Sequence, residues 1–170
     1  MILIIKAGVI LLFSITLNAR EIGETEITTD DGIEVFQNEK FYLLKQNVKI
    51  ESDNFTLSAD DVKIKFEESL YDITEFDAKG NVDFYSKKFK ISGNGKFLYF
   101  EVKNEKIKVE GEGSELKTND VEMFSDGFIE VNNLNGDFLL EGENSKLINE
   151  SIIIIGETIN GNFSDINNKK

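Results

Sequence analysis

One short pattern returns along this chain: apolar-x-apolar-x-small, then an acid or amide. It reads Thr25-x-Ile27-x-Thr29-Asp30, Phe55-x-Leu57-x-Ala59-Asp60, Phe89-x-Ile91-x-Gly93-Asn94, Val121-x-Met123-x-Ser125-Asp126 and Ile152-x-Ile154-x-Gly156-Glu157. Successive copies are 30, 34, 32 and 31 residues apart. Within each copy the alternation has period two, which places the apolar set on one face of a strand and the polar set on the other. A recurrence of this length is too long for one strand and suits a stacked supersecondary unit. A second register supports the first: Asn47-Val48-x-Ile50 matches Asn81-Val82-x-Phe84, and Gly111…Ser114-x-Leu116 matches Gly142…Ser145-x-Leu147.

Between the copies the same alternation continues in Val62-x-Ile64-x-Phe66, Ile107-x-Val109 and Ile129-x-Val131. Punctuation comes from Gly80-Asn81, Gly93-Asn94-Gly95, Gly111-Glu112-Gly113 and Asn135-Gly136, residue types that tolerate positive φ and make tight connections. The expected fold is all-β: about five repeats of ~32 residues, wound into two facing antiparallel sheets. Alternation predicts an inner surface of Ile27, Ile33, Val35, Leu43, Val48, Ile50, Phe55, Leu57, Val62, Ile64 and Phe66. The second half adds Ile73, Val82, Phe84, Phe89, Ile91, Phe97, Tyr99, Val109, Leu116, Val121 and Met123.

Composition removes several classes of function. With no Cys the chain has no disulfide staple, thiolate metal site or cysteine nucleophile, and with no His it lacks the commonest general base and zinc ligand. A net charge of −13 argues against nucleic acid as a partner. The acids fall in alternating or turn positions, where nothing would raise a carboxyl pKa for acid catalysis. No catalytic residue, cofactor or metal is assigned. Hydrophobic content of 40%, including 14 Phe, is that of a chain that folds.

Residues 1–19 have the order of an export signal: Lys6 near the start, an apolar run from Ala7 to Leu17, and Ala19 as a small residue for cleavage. Two fates fit, cleavage after Ala19 or retention as a membrane anchor, because Ile2–Ile5 lengthens the apolar run. Either way the body, residues 20–163, is expected outside the cytoplasm, followed by a polar tail, 164–170.

The order of the motifs carries a resemblance. Ile27–Val35, Phe41–Val48, Phe55–Asp60 and Ile73–Val82 follow one another as in the OstA-like repeat of the LptA family of lipopolysaccharide-transport proteins. The likeness runs from about Ile22 to Phe163. It implies a periplasmic β-jellyroll open along one side, whose apolar interior shelters lipopolysaccharide acyl chains. It also implies partners: the lipid A part of lipopolysaccharide, homologous domains anchored in the inner membrane or seated at the outer membrane, and further copies joined head to tail through edge strands.

The residues suit such a task on their own terms. Burying hydrocarbon contributes roughly 0.8 kcal/mol per CH₂, so one acyl chain supplies on the order of 8–10 kcal/mol from a dry lining alone. Ile27, Leu57, Val62, Ile64, Phe84, Ile91, Phe97 and Met123 are taken as the lipid-facing residues, although the same alternation also describes an ordinary filled core. Strand joining is assigned to Thr28 and Ile33 at the N-terminal edge and to Ile152, Ile153, Ile154 and Ile155 at the C-terminal edge. Four consecutive isoleucines are apolar on both faces, which fits either a buried last strand or an edge covered by a neighbour. Lys87-Lys88-Phe89-Lys90 is a candidate for phosphate contact or a solvated face. Two other readings stay open: an inner-membrane-anchored relative of the same system, and a structural or adhesive β-solenoid with a filled interior.

Overall fold

The computed structural model describes residues 23–163. The signal segment 1–19 and the tail 164–170 lie outside the described residues. Twelve strands follow in order: β1 (Glu26–Thr28), β2 (Ile33–Phe36), β3 (Phe41–Glu51), β4 (Phe55–Phe66), β5 (Ile73–Ser86), β6 (Ile91–Glu101), β7 (Lys106–Glu110), β8 (Ser114–Lys117), β9 (Val121–Ser125), β10 (Phe128–Asn132), β11 (Asp137–Asn149) and β12 (Ile152–Asn162). All the pairings between them are antiparallel, and they link every strand into one sheet.

That sheet is folded across its own strands. The long strands β3, β4, β5 and β11 each change register in the middle, near residues 45–48, 58–61, 79–82 and 141–145. At the same level the chain breaks between β1 and β2, β7 and β8, and β9 and β10. Consequently β6 pairs with β7 through its C-terminal half and with β8 through its N-terminal half, and β11 divides between β10 and β9 in the same way. The result is two wings sharing one bend, the all-β roll that the repeats predict, with the two expected sheets continuous through the fold line.

Registers explain why the pattern repeats. Hydrogen-bonded neighbours in one wing line up as Ile27–Ile50–Leu57–Phe84–Gly93–Leu116–Met123–Leu147–Ile154 on the inner face. Four repeat copies thus place Ile27, Leu57, Met123 and Ile154 on one ladder. The third copy is offset: Gly93, not Ile91, takes the ladder position, where a Cβ would lie 2.7 Å from the Phe84 ring. The other wing carries an aromatic ladder, Val35–Tyr42–Ile64–Phe76–Phe100–Ile107–Val131–Phe138–Gly161. Inward residues of both wings form one buried cluster, with Phe55 of one wing 5.5 Å from Phe76 of the other.

The acid or amide that ends four of the repeats sits at the bend and ties it. Asn47 Nδ2 donates to Asp30 Oδ2 at 2.5 Å, Asn81 Nδ2 to Asp60 Oδ1 at 3.0 Å, and Asn144 Nδ2 to Asp126 Oδ2 at 2.7 Å. Asn94 Nδ2 donates to Glu115 Oε2 at 3.0 Å. Asn47 and Asn81 have φ of 51° and 47°, a conformation asparagine tolerates. Beside Asn81, Gly80 has φ 74°, and a Cβ there would come within 2.1 Å of Asp60 Oδ2. Under the bend the buried hydroxyls of Ser114, Ser125 and Ser145 donate to the carbonyls of Gly111, Glu141 and Gly142. Among the described residues no buried side-chain polar atom lacks a partner, as a well-packed interior requires.

The register changes also correct part of the predicted inner face. Tyr42 and Leu44 point inward and are buried, so Leu43 does not. In β6 the inward parity moves from Ile91 and Gly93 to Leu98 and Phe100. Phe97, expected in the interior, is 46% exposed on the outer face between Lys79 and Glu110, and Tyr99 lies outward as well. Phe41–Leu44 and Phe97–Phe100 are apolar at every position, so alternation could not choose their parity.

Candidate functional site

Opposite the bend, the hairpin turns of the two wings face each other as two lips. Between them, toward the N-terminal end, lies a cleft of about 390 Å³. Its apolar walls are Ile27, Ile50, Phe55 and Phe89 from one wing and Tyr42, Ile64, Ile73, Phe76, Phe100 and Val102 from the other, with Tyr71 at the rim. The polar groups around it, including Ser52, Asn54, Asp72 and Lys88, belong to the turns at the mouth. Burial pushes the Tyr42 phenol above its usual pKa, so it stays protonated and uncharged in the wall. The lining therefore offers dry hydrocarbon and ring faces inside and water at the opening.

Phe55, Phe76 and Phe100 form one ring cluster, with Phe76 and Phe100 stacked at 6.0 Å and Phe89 meeting Phe100 edge-on at 5.9 Å. Rings in such contact hold the wall rigid without needing polar partners. A second hollow of about 170 Å³ lies beyond Phe89, lined by Phe89, Ile91, Val121 and Phe163 with Lys90, the turn Thr118–Asp120 and Asn133. Phe163 stacks on Phe138 at 5.1 Å and fills the interior at that end.

Of the residues singled out from sequence, Ile27 and Ile64 line the cleft, and Ile91 lines the smaller hollow. Leu57, Val62, Phe84 and Met123 are fully enclosed deeper between the wings. Phe97 is on the outside. Most of the cleft wall escaped that choice. Phe55, Ile73 and Phe89 are inward but stand at strand ends, and only the register of the wings shows that strand ends form the mouth. Tyr42, Phe76 and Phe100 needed the correct parity of their strands.

Both edges of the folded sheet carry exposed apolar side chains. β1 and β2 pair only with β3 among the described residues, and β12 pairs only with β11. Ile33 and Val35 are 52% and 50% exposed although they share the inward face of Leu44 and Tyr42. Ile152, Ile153, Ile154 and Ile155 are all exposed, so the last strand is an edge and not a buried strand. Thr28 lies at the opposite edge and is exposed. The apolar inner face thus runs out to both ends of the roll. Among the described residues no group of three or more acidic side chains is placed to hold a metal ion.

The Lys87–Lys90 turn divides its charges. Lys88 reaches the mouth of the cleft. Lys87 and Lys90 face the outer side of the lip with Tyr85, Ser92 and Lys117.

Comparison with known proteins agrees with this geometry. Eighteen chains of solved structures match the fold. One is LptH, described as the LptA-homologous periplasmic component of the lipopolysaccharide transport device of Pseudomonas aeruginosa. It superposes with a TM-score of 0.53 at 10% sequence identity, covering 65% of this chain and 76% of that one. At this identity the likeness shows the fold. No curated protein sequence matches significantly. The sequence model of the LptA/(LptD N-terminal domain) LPS transport proteins matches residues 26–126, the stretch that supplies the bend, the N-terminal edge and nearly the whole cleft wall. With more than half of its length matched, this chain belongs to the LptA/(LptD N-terminal domain) family of LPS transport proteins.

Proposed function

We propose that the chain is a periplasmic bridge that holds the acyl chains of lipid A in the cleft between its lips. It passes them from an inner-membrane to an outer-membrane assembly. The observation that carries this reading is the cleft itself: an aromatic and aliphatic cavity, unfilled by the protein's own side chains, open to water along one side. A filled adhesive solenoid would have no use for such a space, since closed interiors pack to near-crystalline density. Each methylene moved from water into the lining contributes roughly 0.8 kcal/mol, so hydrocarbon is the natural guest. Its sugar and phosphate groups stay in water at the mouth, outside the apolar lining. Lys88 is placed there to meet an anion.

The bare edges support the second half of the reading. An unpaired strand edge recruits another strand, and here each edge also exposes the apolar inner face. Joining β12 to the β1–β2 edge of a second copy, or of a homologous membrane-bound domain, would cover these residues and continue the trough. The inner-membrane-anchored relative differs only in keeping residues 1–19, and N-terminal sequencing of the exported protein separates the two.

The experiment is site-specific photo-crosslinking in cells. A photoreactive residue at Ile73, in the cleft wall, should give lipopolysaccharide adducts. One at Thr28 or Ile153 should give protein–protein adducts. Absence of lipid adducts at Ile73 in a folded, exported protein refutes the proposed function.

A further inference from the structure

Phe89 stands where the apolar floor is interrupted. Its ring lines the 390 Å³ cleft on one side and the 170 Å³ hollow on the other. It sits in the turn between β5 and β6, on one lip, and crosses to meet Phe100 of the opposite wing edge-on at 5.9 Å and 74°. The turn is fixed locally: the Phe89 N–H donates to Ser86 Oγ at 3.3 Å, and Lys90 adopts φ 55°. Next to the ring, Lys88 Nζ spans the same gap to Glu105 Oε1 at 3.7 Å, and Asn133 Nδ2 holds the other Glu105 oxygen at 2.7 Å. Lys88 is largely exposed, so its ion pair is weak and the ring is the real obstacle.

The geometry points to Phe89 as the stop that sets how long a hydrocarbon chain the cleft accepts. This rests on the cleft being the acyl site proposed above. A straight chain laid in from the N-terminal end runs along Ile50, Phe55 and Phe76 and then meets the Phe89 ring. Methylenes beyond that point remain in water and add nothing to affinity. Were the ring removed, the cleft would join the hollow, whose apolar side is Ile91, Val121 and Phe163 and whose outer side is polar, and further methylenes would be buried against that apolar side.

The test is a displacement titration of the full chain with a fluorescent fatty acid. Saturated acids from capric to stearic serve as competitors, below their aggregation concentrations. For wild type, affinity should rise by roughly fourfold per added CH₂ and then level off at one chain length. In Phe89→Ala the break should move to longer acids. Phe89→Leu, which keeps an apolar side chain against Phe100, should move it by less. Phe97→Ser, on the outer face, should leave the break in place. Thermal melting checks that each variant is folded. A break unmoved in folded Phe89→Ala and Phe89→Leu overturns this inference alone. Failure of wild type to bind any of the acids overturns the acyl-site reading and this inference with it.

Discussion

Met123 and Ile73 both face inward, yet they should fail in opposite ways. Met123 is fully buried on the inner ladder between Leu116 and Leu147. Truncating Met123→Ala leaves an enclosed void, and deletions of this kind cost about 2–5 kcal/mol. For a chain of this size each kcal/mol lowers Tm by roughly 2–4 °C, so the fall should be about 4–20 °C. Acyl binding by the remaining folded protein should be unchanged, because Met123 does not border the cleft. Ile73 is half-buried at the mouth and already borders open space. Ile73→Ala opens no closed cavity and should cost only about 1 kcal/mol of stability. It removes three carbons from the lipid-facing wall, on the order of 2 kcal/mol of contact and roughly thirty-fold in acyl affinity. Urea denaturation and fatty-acid titration on the same samples separate the two effects. If Met123→Ala weakened binding at unchanged stability, or Ile73→Ala destabilised the fold while binding normally, the division into core and cleft would be wrong.

Further outcomes follow from the bend, the edges and the outer face. Hydrogen bonds from the Asn144 side chain and backbone hold the Asp126 carboxyl below its ordinary pKa. A lowered folded value means that the stabilisation is full above the unfolded carboxylate pKa and is lost as pH falls through the folded one. The difference in urea midpoint between wild type and Asp126→Asn should therefore be largest near neutrality and vanish in acid; a constant difference would refute the assignment. Gly80→Ala forces a Cβ into the left-handed region against Asp60 and should destabilise by about 1–2 kcal/mol or more, read by thermal melting; no change would mean the turn relaxes freely. Ile153→Lys with Ile155→Lys should leave Tm nearly unaltered, since both are exposed. It should abolish end-to-end association in analytical ultracentrifugation and the Ile153-edge adducts in cells. Phe97→Ser, on the outer face, should change stability by no more than about 0.5 kcal/mol and leave acyl binding intact.

Legibility in the sequence followed the physics of each element. Where polar and apolar residues alternate strictly, as in Val62–Phe66 and Val121–Met123, the inner face could be read directly, and both segments point inward as expected. Where four apolar residues run together, as in Phe41–Leu44 and Phe97–Phe100, parity was set by a register change several residues away. Leu43, Phe97 and Tyr99 were misplaced for that reason. The closing acid of the repeat was legible only as part of a recurring pattern. Its work as a clasp to Asn47, Asn81 or Asn144 at the bend joins residues 17 to 21 positions apart, which no local pattern encodes.

By itself the sequence determined that the chain is built of β-strands with a repeat of ~32 residues and that its apolar residues share one face. Period-two alternation and positive-φ turn residues act locally, so they can be read locally. Which inward residues are packed solid and which line an open cleft was decided only by the tertiary structure. Leu57 and Phe55 belong to the same alternating strand; one is enclosed near the bend and the other stands at the lip. The difference is distance from the fold line, and that distance exists only after the sheet has bent and its two wings have met.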